Sequence, residues 1–217
     1  ILNYDSSMII KNKFDKLRNT EFFYFSKYRY RNKKILSSYK KDNKISICNE
    51  DFKFDKIEKN YFNIYCLLLI CSILKLENYG MKLINSSISA LNELPGRRQV
   101  IRTKNKGTFI IDYAHTTQSF RDIYAEFKSY GYTTTLFGCG GDRDSSKRID
   151  IAKIVDKNSS FSIITEDNSR NENLSSIVNN ISSGFNDKKR YIVIKSRKTA
   201  IKYLFTYSSK KHINFIL

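Results

Sequence analysis

One segment of the chain combines glycines with charged side chains in a pattern that could bind an anion. Gly138, Gly140 and Gly141 lie in "GCGGDRD", directly after the apolar run "TTTLF". Glycines let a backbone turn sharply and let a ligand come close, and the guanidinium of Arg143 can hold carboxylate or phosphate oxygens in bidentate fashion. The same pattern is also typical of a tight turn between a strand and a helix. The segment alone leaves both interpretations open.

Two further clusters of polar side chains also follow apolar runs. "FIIDYAHT" carries Asp112, whose carboxylate could accept a ribose hydroxyl, and His115, whose imidazole could meet a phosphate. "FSIITEDNSR" ends in acceptors and the guanidinium of Arg170, which together suit the ammonium and carboxylate of an amino acid. Each cluster also has a purely structural interpretation, the first as the N-cap region of a helix and the second as an Asx-turn.

The segments around these clusters predict strands that alternate with helices. The strand-like runs are "GTFIIDYAH", "TTTLFGCGG", "FSIITEDNS", "RYIVIKS" and "HINFIL", and helix-like runs lie between them. Such alternation predicts a mostly parallel sheet with flanking helices. Ligands of open sheets of this class bind beyond the carboxyl ends of the strands. Because all three polar clusters follow strands, we expect one binding cleft at that edge.

The first part of the chain has a different pattern, and the only proline marks the change. Residues 20–56 alternate aromatic and charged side chains, which predicts short antiparallel strands. The run "YFNIYCLLLICSILKLENYG" is apolar on all sides and ends at a glycine, which predicts a buried helix. We place a boundary at Pro95 and predict one domain over residues 1–95 and another over residues 96–217.

Charge and composition narrow the classes of partner. The formal net charge of +18 makes nucleic acid the first partner to consider. The basic residues are dispersed, however, and no recognition motif accompanies them, so no nucleic-acid partner is expected. The apolar run at residues 65–76 is shorter than the ~20 residues that span a bilayer. We therefore expect a cytoplasmic protein without membrane association.

Side chains typical of common active sites are few. The four cysteines show neither paired spacing nor a histidine at ligand spacing, so no metal site is predicted. His115 and His212 are the only histidines, and no serine lies in a G-x-S-x-G setting. The sequence has no G-x-x-x-x-G-K-[ST] loop to cradle a triphosphate. We assign no catalytic residue within this sequence.

The order of four motifs resembles the Mur ligase family. These motifs are "LPGRRQVI", "FIIDYAHTTQSF", "LFGCGGDRDSSKR" and "ITEDNSR", of which the third is highly specific. The resemblance implies an α/β fold in which residues 96–217 form most of a C-terminal Rossmann-like domain, with a mostly parallel sheet and flanking helices. Residues 1–95 would form the end of a central α/β domain of the P-loop type that binds ATP.

The resemblance also implies a reaction, cofactors and partners. The implied function is ATP-dependent amide-bond formation in peptidoglycan precursor synthesis, with Mg²⁺ bridging the phosphates. A glutamate carboxylate of the substrate becomes an acyl phosphate, which the amine of the incoming amino acid attacks. The implied partners are UDP-N-acetylmuramoyl-L-Ala-D-Glu and meso-diaminopimelate, and we expect a monomer.

Eight positions of this sequence match binding residues of the family. The nucleotide-binding positions are Asn63, Arg97, Asp112 and His115, and the positions for the incoming amino acid are Arg143, Asp167, Asn168 and Arg170. In the family, an arginine at the last position accompanies diaminopimelate. A guanidinium can pair with the second carboxylate of diaminopimelate, whereas it would repel the ammonium of lysine.

The sequence departs from the family pattern in residues and in extent. Cys66 replaces the second asparagine of the helix motif, Gln99 replaces a glutamate, and Ser169 replaces a proline. The chain begins without methionine, and the UDP-sugar domain, the phosphate loop and a Gly-Lys-Gly-His-Glu segment are missing. We expect a piece of a longer protein that is inactive by itself.

Two alternatives to this function remain open. One is a homologue that adds L-lysine in place of diaminopimelate. The other is a degenerate fragment that binds a nucleotide or an amino acid without catalysis.

Overall fold

A computed structural model describes residues 2–3, 24–26, 35–40, 44–47, 50–53, 61–89, 94–127 and 131–217. The chain divides into two compact units, Ile1–Asn92 and Glu93–Leu217. The buried apolar clusters are each made of residues from one unit only. Among the described residues, no helix is long and apolar enough to cross a bilayer.

The first unit contains a five-stranded sheet. Its strands, in spatial as well as chain order, are β1 (Leu2–Asn3), β2 (Tyr24–Ser26), β3 (Ile35–Lys40), β4 (Lys44–Ile47) and β5 (Glu50–Lys53). β3, β4 and β5 pair antiparallel, as the alternating pattern predicts. The prediction is wrong for β2 and β3, which pair parallel with each other. β1 lies outside the predicted range of residues 20–56 and also pairs parallel with β2. The alternation of side-chain types along a strand indicates which of its faces is buried, but it does not indicate whether the neighbouring strand runs parallel or antiparallel.

The helices of the first unit are α1 (Tyr61–Leu76) and α2 (Met81–Ser89). Leu68 and Cys71 of α1 are fully buried, and they lie in one cluster with Ile47 of β4. On another face of α1, Ile70 and Ile73 are 46% and 43% exposed. The prediction of a helix buried on all sides is therefore wrong, because α1 buries only part of its apolar circumference.

The second unit contains a six-stranded, mostly parallel sheet. Its strands are β6 (Gln99–Thr103), β7 (Gly107–Ile111), β8 (Thr133–Phe137), β9 (Phe161–Ile164), β10 (Tyr191–Val193) and β11 (Ile213–Ile216). Their spatial order is β10-β9-β8-β11-β7-β6, and only the β6–β7 hairpin pairs antiparallel. The last strand therefore lies between two earlier ones, with Phe215 level with Ile110 and Thr135.

Helices cover both faces of this sheet. They are α3 (Thr117–Glu126), α4 (Ser146–Asn158), α5 (Leu174–Ser182) and α6 (Arg197–Tyr207), with a short 3-10 helix at Lys188–Arg190. Alternate strand residues such as Ile110 and Phe137 pack in the same cluster as α3, α4 and α5. Their neighbours, such as Leu136, pack with Ala200 and Leu204 of α6. This doubly covered sheet confirms the predicted Rossmann-like α/β fold.

Candidate functional site

The polar clusters lie at one edge of the second sheet, because each follows the carboxyl end of a parallel strand. Asp112–His115 follows β7, Gly138–Arg148 follows β8, and Glu166–Arg170 follows β9. β8 and β9 are neighbours, whereas β11 lies between β8 and β7. Neighbouring strands are ~5 Å apart, so the ends of β7 and β8 are separated by roughly 10 Å. The structure thus forms two groups of polar residues along one edge.

Glycines allow the loop after β8 to lie directly against the loop after β9. A methyl group at Gly138 would lie 2.5 Å from the carbonyl oxygen of Thr165 and 3.0 Å from the amide nitrogen of Asp167. A methyl group at Gly141 would collide with the carbonyl oxygen of Ser169. Real side chains do not tolerate such approaches, so glycine is required at both positions for this packing.

Hydrogen bonds run between these two loops in both directions. The amide of Gly141 donates to the carbonyl of Asn168 at 2.8 Å, and the amide of Asn171 donates to Asp142 Oδ2 at 3.0 Å. The side chain of Arg170 donates from Nη1 to the carbonyl of Gly141 at 2.6 Å. Asp142 and Arg170 also have left-handed backbones, with φ of 50° and 48°. Non-glycine residues keep such angles only where their surroundings hold them in place.

A buried ion pair joins the two loops below these contacts. Arg148, at 1% exposure, places Nη1 2.5 Å from Glu172 Oε1 and donates from Nη2 to Glu172 Oε2 at 2.6 Å. Arg148 Nη2 also donates to the carbonyl of Gly140 at 3.0 Å, and Glu172 Oε2 accepts from the amide of Asp142. The hydrogen bond from Arg148 lowers the pKa of Glu172. Sequence reasoning included Arg148 in the cluster after β8, but it predicted neither Glu172 nor this pairing.

The residues expected to bind an amino acid meet around Gly140. From the position that a Cβ on Gly140 would take, Arg170 Nη1 is 3.0 Å, the Asn168 carbonyl 3.5 Å and Arg143 Cγ 4.0 Å away. Arg143, Asn168 and Arg170 are all exposed, as is Asp167. Asn168 Oδ1 also accepts from the amide of Arg170, which is the hydrogen bond of an Asx-turn. The same residues therefore form a turn, and the side chains of Arg143 and Arg170 both lie next to Gly140.

The group after β7 is built around Asp112. Asp112 Oδ2 accepts from the amide of Arg98 at 2.8 Å and lies 4.0 Å from Arg98 Nε. Arg98 is buried and also pairs with Glu126 of α3. Burial lowers the pKa of Arg98, and the carboxylate of Asp112 opposes that shift. Sequence reasoning did not single out Arg98, because its partners are distant in sequence.

Two further residues expected to bind the nucleotide lie beside Asp112. The guanidinium of Arg97 lies over the ring of Tyr113, 4.8 Å from its centroid. His115 Nδ1 lies 3.0 Å from the carbonyl of Tyr113, and the two rings are 5.3 Å apart. Thr116 and Ser119 form a capping box at the start of α3, so the N-cap interpretation of this segment also holds.

Asn63 is the one nucleotide-binding position predicted outside residues 96–217. It belongs to α1 in the first unit, and its side chain lies outside the described residues. Among the described residues, no group of three His, Cys, Asp or Glu side chains could hold a metal ion.

Comparisons with known sequences agree with the order of the motifs. Residues 96–214 match the family model described as Mur ligase, glutamate ligase domain. A UDP-N-acetylmuramoyl-L-alanyl-D-glutamate--2,6-diaminopimelate ligase of Buchnera aphidicola subsp. Schizaphis graminum is 39% identical over 72% of this chain and 32% of its own length. The protein of that name from Wigglesworthia glossinidia brevipalpis is 33% identical over 100% of this chain and 46% of its own length. The chain thus spans less than half of these relatives.

Solved structures share the fold. A structure of UDP-N-acetylmuramoyl-L-alanyl-D-glutamate--2,6-diaminopimelate ligase matches 99% of this chain and 46% of its own, with a TM-score of 0.54 at 22% identity. A pseudomurein peptide ligase type C from Methanothermus fervidus matches 83% of this chain and 38% of its own, with a TM-score of 0.61 at 20% identity. At sequence identities of 20% and 22%, the similarity to these two structures shows only that the fold is shared.

Proposed function

The chain belongs to the Mur ligase family, and from that premise we propose that its protein is an ATP-dependent ligase of peptidoglycan precursor synthesis. The protein adds meso-diaminopimelate to UDP-N-acetylmuramoyl-L-Ala-D-Glu. The observation that carries the proposal is the meeting of Arg143 and Arg170 at Gly140, on two loops that are interlocked by hydrogen bonds. In this proposal, residues 1–95 end the central ATP-binding domain and residues 96–217 form most of the C-terminal domain.

The choice of acceptor follows from charge at the loops after β8 and β9. Diaminopimelate carries two carboxylates, and the side chains of two arginines, Arg143 and Arg170, lie next to Gly140. Guanidinium–carboxylate pairs can be bidentate, which fixes orientation as well as charge. Asp167 and Asn168 supply acceptors for an ammonium group in the same loop. The relatives with 33–39% identity carry the name of a diaminopimelate ligase, which supports the same acceptor.

The nucleotide belongs to the group after β7. Asp112 holds the ribose, and Arg97 and His115 lie at the nucleotide beside it. Asn63 is a further nucleotide-binding position, assigned by its match to the family's helix motif. The amide of Arg98 donates to Asp112 Oδ2 and so fixes the direction of this carboxylate. The exposed ring of Tyr113 and the guanidinium above it offer a cationic, aromatic surface that suits a polyanionic nucleotide.

The proposed reaction forms one amide bond and cleaves one phosphoanhydride bond. The glutamate carboxylate of the precursor takes the γ-phosphoryl group, and ADP leaves. The amine of diaminopimelate attacks the acyl carbon and loses a proton, and inorganic phosphate leaves. Arg143 and Arg170 hold the acceptor by its carboxylates, so an unprotonated amine remains free to attack. When bound, Mg²⁺ would offset the charge of the phosphates during the transfer.

Location and assembly complete the proposal. The substrates are soluble precursors, so we infer a cytoplasmic enzyme that acts as a monomer, with neither nucleic acid nor membrane as a partner. The basic residues recur along the whole sequence, and this dispersal fits the inference.

The test is amide ligation by the product of the complete gene, with ATP, Mg²⁺, the precursor and either meso-diaminopimelate or L-lysine. We expect kcat/KM for diaminopimelate to exceed that for lysine at least ~10-fold, because lysine lacks the second carboxylate and so forms one charge-assisted pair fewer. Arg170→Ala is expected to raise KM for diaminopimelate ~10- to 100-fold and to leave KM for ATP within about twofold.

The matched control is Arg121→Ala, which removes an exposed arginine of α3 and should change neither KM. A preference for lysine would favour the lysine-adding alternative. Binding of nucleotide or amino acid without any ligation would favour the non-catalytic one.

A further inference from the structure

Arg197 reaches the same edge of the sheet from a different direction. It is the first residue of α6 and follows β10, and its guanidinium is mostly shielded from water. Burial lowers the pKa of Arg197, and the carboxylates of Asp167 and Glu166 oppose that shift.

Its hydrogen bonds connect two separate strand ends. Arg197 Nη2 donates to the carbonyl of Leu217, at the end of β11, at 3.0 Å. The backbone amide of Arg197 donates to Glu166 Oε1 at 3.4 Å. β11 and β9 are not neighbours, because β8 lies between them. Arg197 thus links the strands on either side of β8, whose loop carries Gly138 and Arg143.

The position of Arg197 is less favourable for the free energy of folding than a purely structural role would require. The N-terminus of a helix carries a partial positive charge, which disfavours a cation in the first turn. Ser196 already caps α6, since its side chain accepts from the amide of Thr199. Arg197 Nη1 is buried without a hydrogen-bond partner among the described residues, and such burial of a charged donor is unfavourable. A neutral residue at this position would avoid all of these costs.

We propose that Arg197 is a positioning residue of the amino-acid pocket, because it joins Glu166, at the start of the β9 loop, to Leu217 at the end of β11. Through this loop it sets the direction of Asn168 and Arg170 toward the incoming amino acid. Nothing in the sequence motifs pointed to it. The inference rests on the proposed function, because it concerns the same pocket.

The test compares Arg197→Met and Arg197→Lys with wild type in steady-state ligation by the product of the complete gene. We expect Arg197→Met to raise KM for diaminopimelate ~10-fold or more, with KM for ATP within about twofold. Arg197→Lys keeps the charge but loses the forked geometry of the guanidinium. Its KM for diaminopimelate should therefore lie between those of wild type and Arg197→Met. Circular dichroism checks that each variant is folded. If Arg197→Met does not fold, the KM values of Arg197→Lys provide the test.

The matched control is Arg190→Lys, which alters an arginine at the opposite end of β10. Arg190 pairs with Asp156 at 3.1 Å, away from the carboxyl ends of the strands. This variant should leave both KM values unchanged. Equal increases of both KM values in Arg197→Met, or a loss of stability without any change in KM, would overturn the inference alone. Absence of ligation by wild type with every acceptor would overturn the proposed function and this inference with it.

Discussion

Among single residues, Arg148 bears most directly on the geometry of the site. It is 1% exposed, and its partners Glu172 and the carbonyl of Gly140 lie on both loops. Nε of Arg148 has no partner among the described residues, so the ion pair compensates only part of the loss of hydration. A pair of this kind depends on both members, because removal of either leaves a charge without its counterpart.

Arg148→Met is expected to lower the free energy of unfolding by about 2–3 kcal/mol, measured by urea denaturation at neutral pH. The lower end of the usual range applies because Glu172, at 25% exposure, keeps some contact with water. Asp150→Asn is the control, since Asp150 and Lys153 form an ion pair of 3.8 Å with both side chains more than half exposed. Its effect should stay below about 0.5 kcal/mol. Equal effects of the two variants would contradict this role of Arg148.

The same pair predicts a dependence on pH. The pKa of Glu172 is lowered in the folded protein, so its contribution is complete above the ordinary pKa of about 4.5 and is lost as the pH falls through the folded value. The stability difference between wild type and Arg148→Met should therefore be constant from about pH 5 to 7 and shrink below about pH 4. If the stability difference between the two proteins is unchanged at low pH, Arg148 stabilises the fold by packing alone and not through its ion pair with Glu172.

At the scale of elements, the close approach of the β8 and β9 loops depends on glycine. Gly141→Ser would place Cβ against the carbonyl oxygen of Ser169 and 3.0 Å from Glu172 Cβ. We expect a loss of about 1–3 kcal/mol in the free energy of unfolding, as for other overpacked sites, together with a raised KM for the amino acid. Gly80→Ser is the control, because nothing lies within 4 Å of a Cβ there and serine suits the residue before α2. Similar losses from both variants would contradict the packing argument.

Most helices and strands of residues 96–217 could be predicted because their signals are local, although β6 was not among the predicted strands. Short runs of strand-forming residues predicted β7 to β11, and helix-like runs lay between them. The position of β11 between β7 and β8 could not be predicted, because that pairing joins residues about 80 to 105 positions apart. The Arg148–Glu172 pair was missed for the same reason, since 24 positions separate its members. The candidate residues were found by motif, whereas the contacts that orient them come from tertiary packing.

At the scale of the whole molecule, the second unit has what an independent domain needs. Its clusters of buried side chains draw only on its own residues, and both faces of its sheet are covered. We expect residues 93–217, expressed alone, to unfold in one cooperative thermal transition with near-ultraviolet circular dichroism retained below it. A broad transition, or a near-ultraviolet signal that is absent from the start, would show that this unit requires the first.

The central place of β11 has a consequence for biosynthesis. Ile213–Ile216 is translated after β7 to β10, yet it separates β7 from β8. Until the ribosome has made this segment, β7 and β8 each have an unpaired edge. Unpaired edges of apolar strands invite aggregation. A chaperone that shields nascent polypeptides should therefore raise the soluble yield most while α6 and β11 are being translated.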